Sequence, residues 1–272
     1  MRRWLVVVVF GAALVAVTPG SAVAASPPLP SSMAAIGDSM TRAADVCCWY
    51  GDHPANSWST GYASWDPVVS HYERILAVKP AIYGHNYNDS ASGAQMSDAP
   101  GQAAKAVGQQ ARYVTILMGA NDLCTSSTAT MTPVDTFRAQ FQQTLATLEA
   151  GLPGSAHIFV SSIPNVYHLW EIYHTSWLAE FVWSTGNICQ SLLSSSGTDA
   201  DRQAVRDREA AFNLVLAQEC TKYANCRFDG YAVFNYAFTK SQVSTLDYFH
   251  PSLSGQAALA GVTWGASWWA GS

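Results

Sequence analysis

Tyr113-Val114-Thr115-Ile116-Leu117-Met118, followed at once by Gly119-Ala120-Asn121-Asp122, is the stretch from which the fold can be read. Its first six residues are apolar or β-branched and do not alternate with polar ones, so neither face of a strand built from them is suited to water. That is the pattern of a strand buried on both sides, as in a parallel sheet covered by helices. The turn residues that follow place Asn121 just past the strand's carboxyl end. In open parallel sheets that rim is where ligands bind.

Working outward, Met33 to Ile36 is a short apolar run ending at Gly37, a first strand. Trp65 to Val78 is expected to be helical and to stop before Pro80, with a second strand beginning over Ala81 to Gly84. Downstream, Val134, Phe137, Phe141, Leu145 and Leu148 form one apolar helical stripe. Thr132 suits its N-cap, Pro133 its first turn and Gly151 its C′ position. Ala156 to Val160 is the next strand, Asp201 to Tyr223 a long helix, Cys226 to Phe228 a last short strand, and Ser252 to Trp269 a helix weakened by Gly255, Gly261 and Gly265. This alternation predicts an α/β fold, a three-layer α/β/α sandwich with a central parallel sheet of about five strands. No repeat or second domain is visible, and 33–272 reads as a single domain.

The 272-residue chain opens with Arg2 and Arg3, then an apolar run from Trp4 to Thr18, then Ala22-Val23-Ala24, the pattern of a signal peptide over 1–25. Residues 26–32, which are rich in proline, read as a short linker. No other stretch approaches the ~18 apolar residues of a membrane span, so the mature protein is expected to be exported without a transmembrane segment. Loss of Arg2 and Arg3 leaves 12 basic against 19 acidic residues, a net charge of −7. That balance argues against nucleic acid as a partner.

The six cysteines, Cys47, Cys48, Cys124, Cys189, Cys220 and Cys226, suit an oxidising compartment. Cys220 with Cys226 is the expected pair, closing a short loop between helix and strand. Cys47 and Cys48 have Cα atoms roughly 3.8 Å apart, below the usual disulfide range, so a bond between them is not expected. Neither a C-x-x-C pair nor H-E-x-x-H is present, which argues against zinc.

Three separated motifs carry reactive groups. Ser39 follows the first strand in Gly37-Asp38-Ser39, Asn121 follows the Tyr113–Met118 strand, and Asp247-Tyr248-Phe249-His250 precedes the last helix. Together they supply a nucleophile, an amide donor for an oxyanion, and a base with its orienting acid. No G-x-S-x-G elbow occurs, which sets aside the α/β-hydrolase arrangement.

On these blocks the chain resembles the SGNH (GDSL-type) hydrolase superfamily across essentially all of 33–270, which implies the flavodoxin-like SGNH-hydrolase sandwich. The resemblance implies that Ser39 is the nucleophile, that Asp247 and His250 complete a triad, and that the oxyanion hole comprises the Ser39 and Gly93 backbone N–H groups with the Asn121 amide. Gly93 closes the block Asn88-Asp89-Ser90-Ala91-Ser92-Gly93, in which Ser90 stands where a small apolar residue is expected. The stretch Ile116 to Cys124 is also similar to the phospholipase-B-like branch. The implied chemistry is double displacement through an acyl-serine, needing no metal or organic cofactor.

The segment from Ile163 to Ser196 is crowded with aromatics and has two readings: an apolar rim or lid for an acyl chain, with Trp170, Trp177 and Phe181 touching substrate, or a satellite core tied down by Cys189. Trp49, Trp58 and Trp65 could line a sugar cleft, although burial explains them more simply. The remaining histidines lack metal-ligand spacing, and Asp38 and Asp122 are expected to order turns. The expected function is a secreted, monomeric serine carboxylic ester hydrolase acting on a small-molecule or lipid ester. The alternatives are a carbohydrate deacetylase and a catalytically idle binding module.

Overall fold

The computed structural model describes residues 26–271 together with Met1 and Trp4, so the expected leader lies, apart from those two residues, outside the described residues. Five parallel strands, β1 (Met33–Gly37), β2 (Asn86–Asn88), β3 (Tyr113–Leu117), β4 (His157–Val160) and β5 (Cys226–Phe228), form one sheet in the order β2-β1-β3-β4-β5. Nine α-helices lie among the described residues: α1 (His71–Val78), α2 (Ala99–Gly108), α3 (Ala120–Leu123), α4 (Val134–Gly151), α5 (Val166–Tyr173), α6 (Trp177–Thr185), α7 (Gln190–Leu193), α8 (Asp199–Cys220) and α9 (Leu253–Ala266).

The central strands are buried on both faces, as the unbroken apolar run predicts, and their side chains divide by the two-residue period of a strand. Ala34, Ile36, Val114, Ile116, Ile158 and Val160 pack into the core under α2, α4 and α8. Met33, Tyr113 and Phe159 point the other way, against Tyr72 and Ile75 of α1 and Trp264 of α9. The sandwich is therefore α2/α4/α8 on one side and α1/α9 on the other. His71 is sealed in the second layer, where its Nδ1 meets the Tyr113 hydroxyl and its Nε2 the Thr263 hydroxyl, each at 2.8 Å. Burial pushes its pKa down to about 3, so it is a neutral packing histidine.

Several boundaries differ from the sequence reading, each for a local reason. The first helix begins at His71 rather than Trp65, because Ser70 and Glu73 form a reciprocal capping box. Pro80–Ile82 is a 3₁₀ turn, and the second strand starts at Asn86 instead of Ala81. α2 had no place in the sequence reading, since its buried face is Ala99, Gln102, Ala103 and Ala106, which carries little hydrophobic contrast. Pro133 is the N-cap of α4, and Gly151 is its last helical residue rather than its C′. A Cβ on Gly151 would lie 2.4 Å from the Val107 side chain, so that glycine serves the close approach of α2 and α4. Thr198 caps α8 through a box with Asp201, and Ser252 caps α9.

Cys220–Cys226 is bonded as expected, and a second disulfide joins Cys124 at the end of α3 to Cys189 at the start of α7. The aromatic segment is not a satellite core. Val166, Tyr173, Ala179, Trp183 and Leu192 belong to the main core. No helix among the described residues is long and apolar enough to cross a membrane.

Strand order reverses between β1 and β3: the chain steps from β1 out to β2 on one side, then continues to β3, β4 and β5 on the other. The crevice beyond the carboxyl ends of β1 and β3 is the topological switch point, the place where such sheets bind ligands.

Candidate active site

β1 delivers Ser39 to that crevice. After Gly37 the chain turns tightly, with Thr41 and Arg42 N–H donating to the Asp38 carbonyl and Met40 N–H donating to Asp38 Oδ1 at 2.9 Å. Asp38 is wholly buried and its other carboxylate oxygen has no hydrogen-bond partner; burial pushes its pKa up to about 6. The turn is held from below by Gln102 of α2, whose side-chain amide accepts from Gly37 N–H at 2.8 Å and donates to Gly37 carbonyl at 3.0 Å. This two-point clamp was missed in the sequence. The one available signal was a glutamine on the buried face of an alanine-rich helix.

Opposite Ser39, Asp247 to His250 form a tight turn with Tyr248 at φ 55°. Asp247 Oδ1 accepts from the backbone N–H of Phe249 and His250 at 2.9 and 3.1 Å, which fixes the carboxylate. Its Oδ2 is then hydrogen-bonded to His250 Nδ1, and His250 Nε2 lies 2.7 Å from Ser39 Oγ. A serine–imidazole–carboxylate relay is thus assembled from residues more than 200 positions apart. Burial works to lower the His250 pKa, but the hydrogen bond and charge of Asp247, with the charges of Asp45 and Asp38, outweigh it and leave it above the ordinary value. Burial works to raise the Asp247 pKa, and the bonds to His250 outweigh it, leaving it below the usual carboxylate range.

β2 positions the third group. Its chain runs on beside the end of β1, with Asp89 N–H donating to Ala35 and Ala91 N–H to Gly37 carbonyl. This brings Gly93 to the same cleft at φ 80°, a conformation that favours glycine. The polar Ser90 is accommodated because its hydroxyl donates to Asn88 Oδ1. From β3 comes Asn121, whose Nδ2 donates to the Ala94 carbonyl at 2.9 Å. That bond uses one hydrogen of the amide and holds the group against the Gly93 loop. Asp122, buried behind it, accepts from Met96 N–H at 2.9 Å, and burial pushes its pKa up to about 6.

Ser39, Gly93, Asn121, Asp247 and His250 line one open cleft of about 730 Å³. Phe181 of α6 lines it as well. Trp170 and Trp177 do not: Trp170 packs under the Arg202 guanidinium at 4.4 Å and stacks on His174, while Trp177 is 76 % exposed. Trp58 is fully buried, with its indole N–H directed to Thr41, whereas Trp49 and Trp65 are exposed and line no part of the cleft. A second, smaller cavity of about 60 Å³ shares the Phe249–His250 edge and is walled by Met40, Val166, Leu169, Ile172 and Val243.

Asp45 also faces the relay, and nothing in the sequence marked it. Its Oδ1 accepts from Gly51 N–H at 2.6 Å, and its Oδ2 lies 3.9 Å from His250 Nδ1. Asp45, Asp247 and His250 bring ligand atoms within 4.8 Å of one another, yet both ring nitrogens of His250 are already engaged by Asp247 and Ser39. The cluster therefore fits proton transfer better than metal ligation. If His250 acts as a base, activity disappears as pH falls through its raised pKa. Replacing Asp45 with asparagine removes one supporting charge, so the acid limb of kcat/KM should move to lower pH while the alkaline plateau holds. A profile whose acid limb stays in place would mean that Asp45 does not act on His250. Burial also pushes the Asp38 and Asp122 carboxyls up to about 6, so the comparison is between variant and parent across the same pH range.

The sequence model of a family described as the GDSL-like lipase/acylhydrolase family matches residues 35–258. No curated protein matches the chain. Among solved structures, it is similar to LAE5, described as an alpha/beta hydrolase enzyme from the metagenome of Lake Arreo, Spain, with TM-score 0.55, 15% identity, and coverage of 87% of this chain and 94% of that one. An acetyl xylan esterase, AlAXEase, gives TM-score 0.51 at 15% identity, covering 86% and 98%. A protein of the G-D-S-L family from Desulfitobacterium hafniense DCB-2 gives TM-score 0.51 at 12% identity, covering 87% and 99%. At such identities these likenesses bear on the fold.

Proposed function

Because the chain belongs to the GDSL-like lipase/acylhydrolase family, we propose that it hydrolyses a carboxylic ester at Ser39, taking the acyl group toward the apolar cavity beside His250. The observation that carries this reading is the hydrogen-bonded relay from Ser39 Oγ through His250 to Asp247 at the sheet's switch point. His250 removes the hydroxyl proton as Ser39 attacks the ester carbonyl and then protonates the departing alcohol. Water reverses the sequence to release the acid. Asp247 holds the productive imidazole tautomer and balances the imidazolium. The Ser39 and Gly93 N–H groups and the free hydrogen of the Asn121 amide meet the developing oxyanion. The complete relay weighs against an idle binding module. The two disulfides support export to an oxidising compartment, and a monomer acting alone is the simplest form in which the cleft is complete.

Substrate preference follows from the cavity. Its walls are mainly aliphatic and aromatic, which supports the acyl-ester reading suggested by the similarity of Ile116 to Cys124 to the phospholipase-B-like branch. Its volume of about 60 Å³ is less than half the ~150 Å³ that accommodates benzene, so only a short chain fits without rearrangement. Each methylene buried contributes about 0.8 kcal/mol, roughly a fourfold gain. On p-nitrophenyl esters, kcat/KM should therefore rise about fourfold per carbon from acetyl to near butyryl and then level off. Leu169→Trp, which fills the cavity, should flatten that rise. A preference for acetyl that Leu169→Trp leaves unchanged would place the acyl group elsewhere.

One observation favours the second reading, a sugar deacetylase. The main cleft is far larger than the acyl cavity, and its wall includes Asp52, Ser92, Thr185 and Asn187, polar groups suited to a hydroxyl-rich alcohol. Faster turnover of acetylated oligosaccharides than of any p-nitrophenyl ester would decide for it.

A further inference from the structure

Cys47 and Cys48 were set aside as partners because neighbouring Cα atoms stand closer than in ordinary disulfides. The structure gives reason to reverse that. Side chains of adjacent residues diverge in a helix or strand, yet here the two Sγ atoms lie 2.7 Å apart. That is well inside the roughly 3.5–4.0 Å at which even carbon atoms rest in contact. The backbone achieves it with an unusual turn: Cys48 sits at φ 68°, and Trp49 N–H donates to the Cys47 carbonyl at 2.7 Å. Left-handed backbone in a non-glycine residue persists only where the surroundings enforce it.

The turn forms the tip of a loop that touches both halves of the site. The loop closes on itself where Asp45 N–H donates to the Gly51 carbonyl and Gly51 N–H to Asp45 Oδ1. On one side, the Tyr50 hydroxyl donates to the Leu246 carbonyl at 2.9 Å, and the Ser244 hydroxyl donates to the Asp45 carbonyl. These bonds latch the loop to the turn carrying Asp247 and His250. On the other side, Asp52 accepts from Ser92, next to Gly93, at 2.5 Å and pairs with Arg42 at 3.0 Å.

We propose that Cys47 and Cys48 are a modification site, joined in the mature protein by a vicinal disulfide that clamps the 45–52 loop against the catalytic turn. A low-molecular-weight disulfide is a sufficient oxidant. Cys48, the more exposed of the two, attacks one of its sulfurs as the thiolate and expels one thiolate. Cys47 then attacks the Cys48 sulfur of the mixed disulfide and expels the second. The chain loses two electrons and two protons, and the oxidant leaves as two thiols. Burial and the neighbouring Cys48 push the Cys47 thiol up to about 11, which agrees with this order of attack. The bond is exposed, so a mild reductant opens it before Cys124–Cys189 or Cys220–Cys226, each of which has a nearly fully buried partner, Cys189 or Cys220.

The test uses the full-length purified protein, denatured without reductant and treated with iodoacetamide. Tryptic cleavage after Arg42 and Arg74 isolates the peptide bearing both cysteines. The expected result is an unalkylated peptide two hydrogens lighter than its dithiol form, which takes two alkyl groups only after reduction. Both cysteines alkylated without reduction, or either bonded to another chain, would overturn the proposal. Amide hydrogen exchange reads the clamp: Cys47→Ser and Cys48→Ser should each speed exchange at Asp45 and Gly51, and unchanged exchange in both would refute it. Neither readout depends on the hydrolase assignment. Only a further expectation rests on it, that mild reduction lowers kcat/KM several-fold in the parent protein and not in Cys48→Ser.

Discussion

Replacing Ser39 with alanine should lower kcat on any ester the enzyme hydrolyses by on the order of 10⁶-fold, with little change in KM. The size follows from what the substitution removes. In the proposed mechanism Ser39 Oγ is the atom that forms the covalent bond, and it already lies 2.7 Å from the base that takes its proton. The proposed oxyanion donors at Gly93 and Asn121 and the cleft remain in place, so substrate should still bind and a residual rate about 10³–10⁴-fold above water should remain. Folding should hardly change. Ser39 is 7 % exposed, and the variant loses one hydroxyl and one hydrogen bond, a difference of about 1 kcal/mol. Parallel kinetics and thermal melts check both statements. A variant retaining more than a tenth of parental kcat would remove Ser39 from the chemistry.

Asp247→Asn should cost about 10⁴-fold in kcat, again without unfolding the turn. Asp247 Oδ1 accepts two backbone N–H bonds, from Phe249 and His250, and an asparagine carbonyl keeps both. What changes is the atom facing His250 Nδ1. A carboxylate oxygen accepts the Nδ1 proton and leaves Nε2 as the lone pair that takes the serine proton. An amide NH₂ in that place donates to Nδ1, which moves the ring proton to Nε2 and leaves Ser39 facing a donor. Steady-state kinetics beside a melting curve distinguishes this from collapse of the turn. Loss of activity together with a large fall in melting temperature would point to structure rather than tautomer.

How much was legible beforehand follows from the kind of signal each feature carries. The Tyr113–Leu117 strand was legible because burial on both faces leaves an unbroken apolar run. Ser39, Asn121, Asp247 and His250 were legible as motif residues in a fixed order, and the structure brings all four, with Gly93, into one cleft. What failed depended on contacts across the chain. α2 combines a strong helix former with contact against α4, and alanine on its buried face gives little amphipathic contrast. Gly151 resembled a helix stop but is the point of contact with Val107. Gln102, Asp45 and Tyr50 act through partners 65, 205 and 196 positions away, so no local window held their meaning. The aromatic segment misled in a different way. Trp183 and Tyr173 are core, Trp177 is exposed, and of Trp170, Trp177 and Phe181 only Phe181 reaches the cleft, a division set by helix orientation rather than composition.

The central claim is that Ser39 is an activated nucleophile served by His250. Incubation of the purified protein with a fluorophosphonate, followed by intact mass and peptide mapping, tests it without knowledge of the substrate. The expected result is a single adduct on Ser39, absent from Ser39→Ala and formed far more slowly in His250→Ala. No adduct on the folded protein, or an adduct on a different serine, would contradict the account.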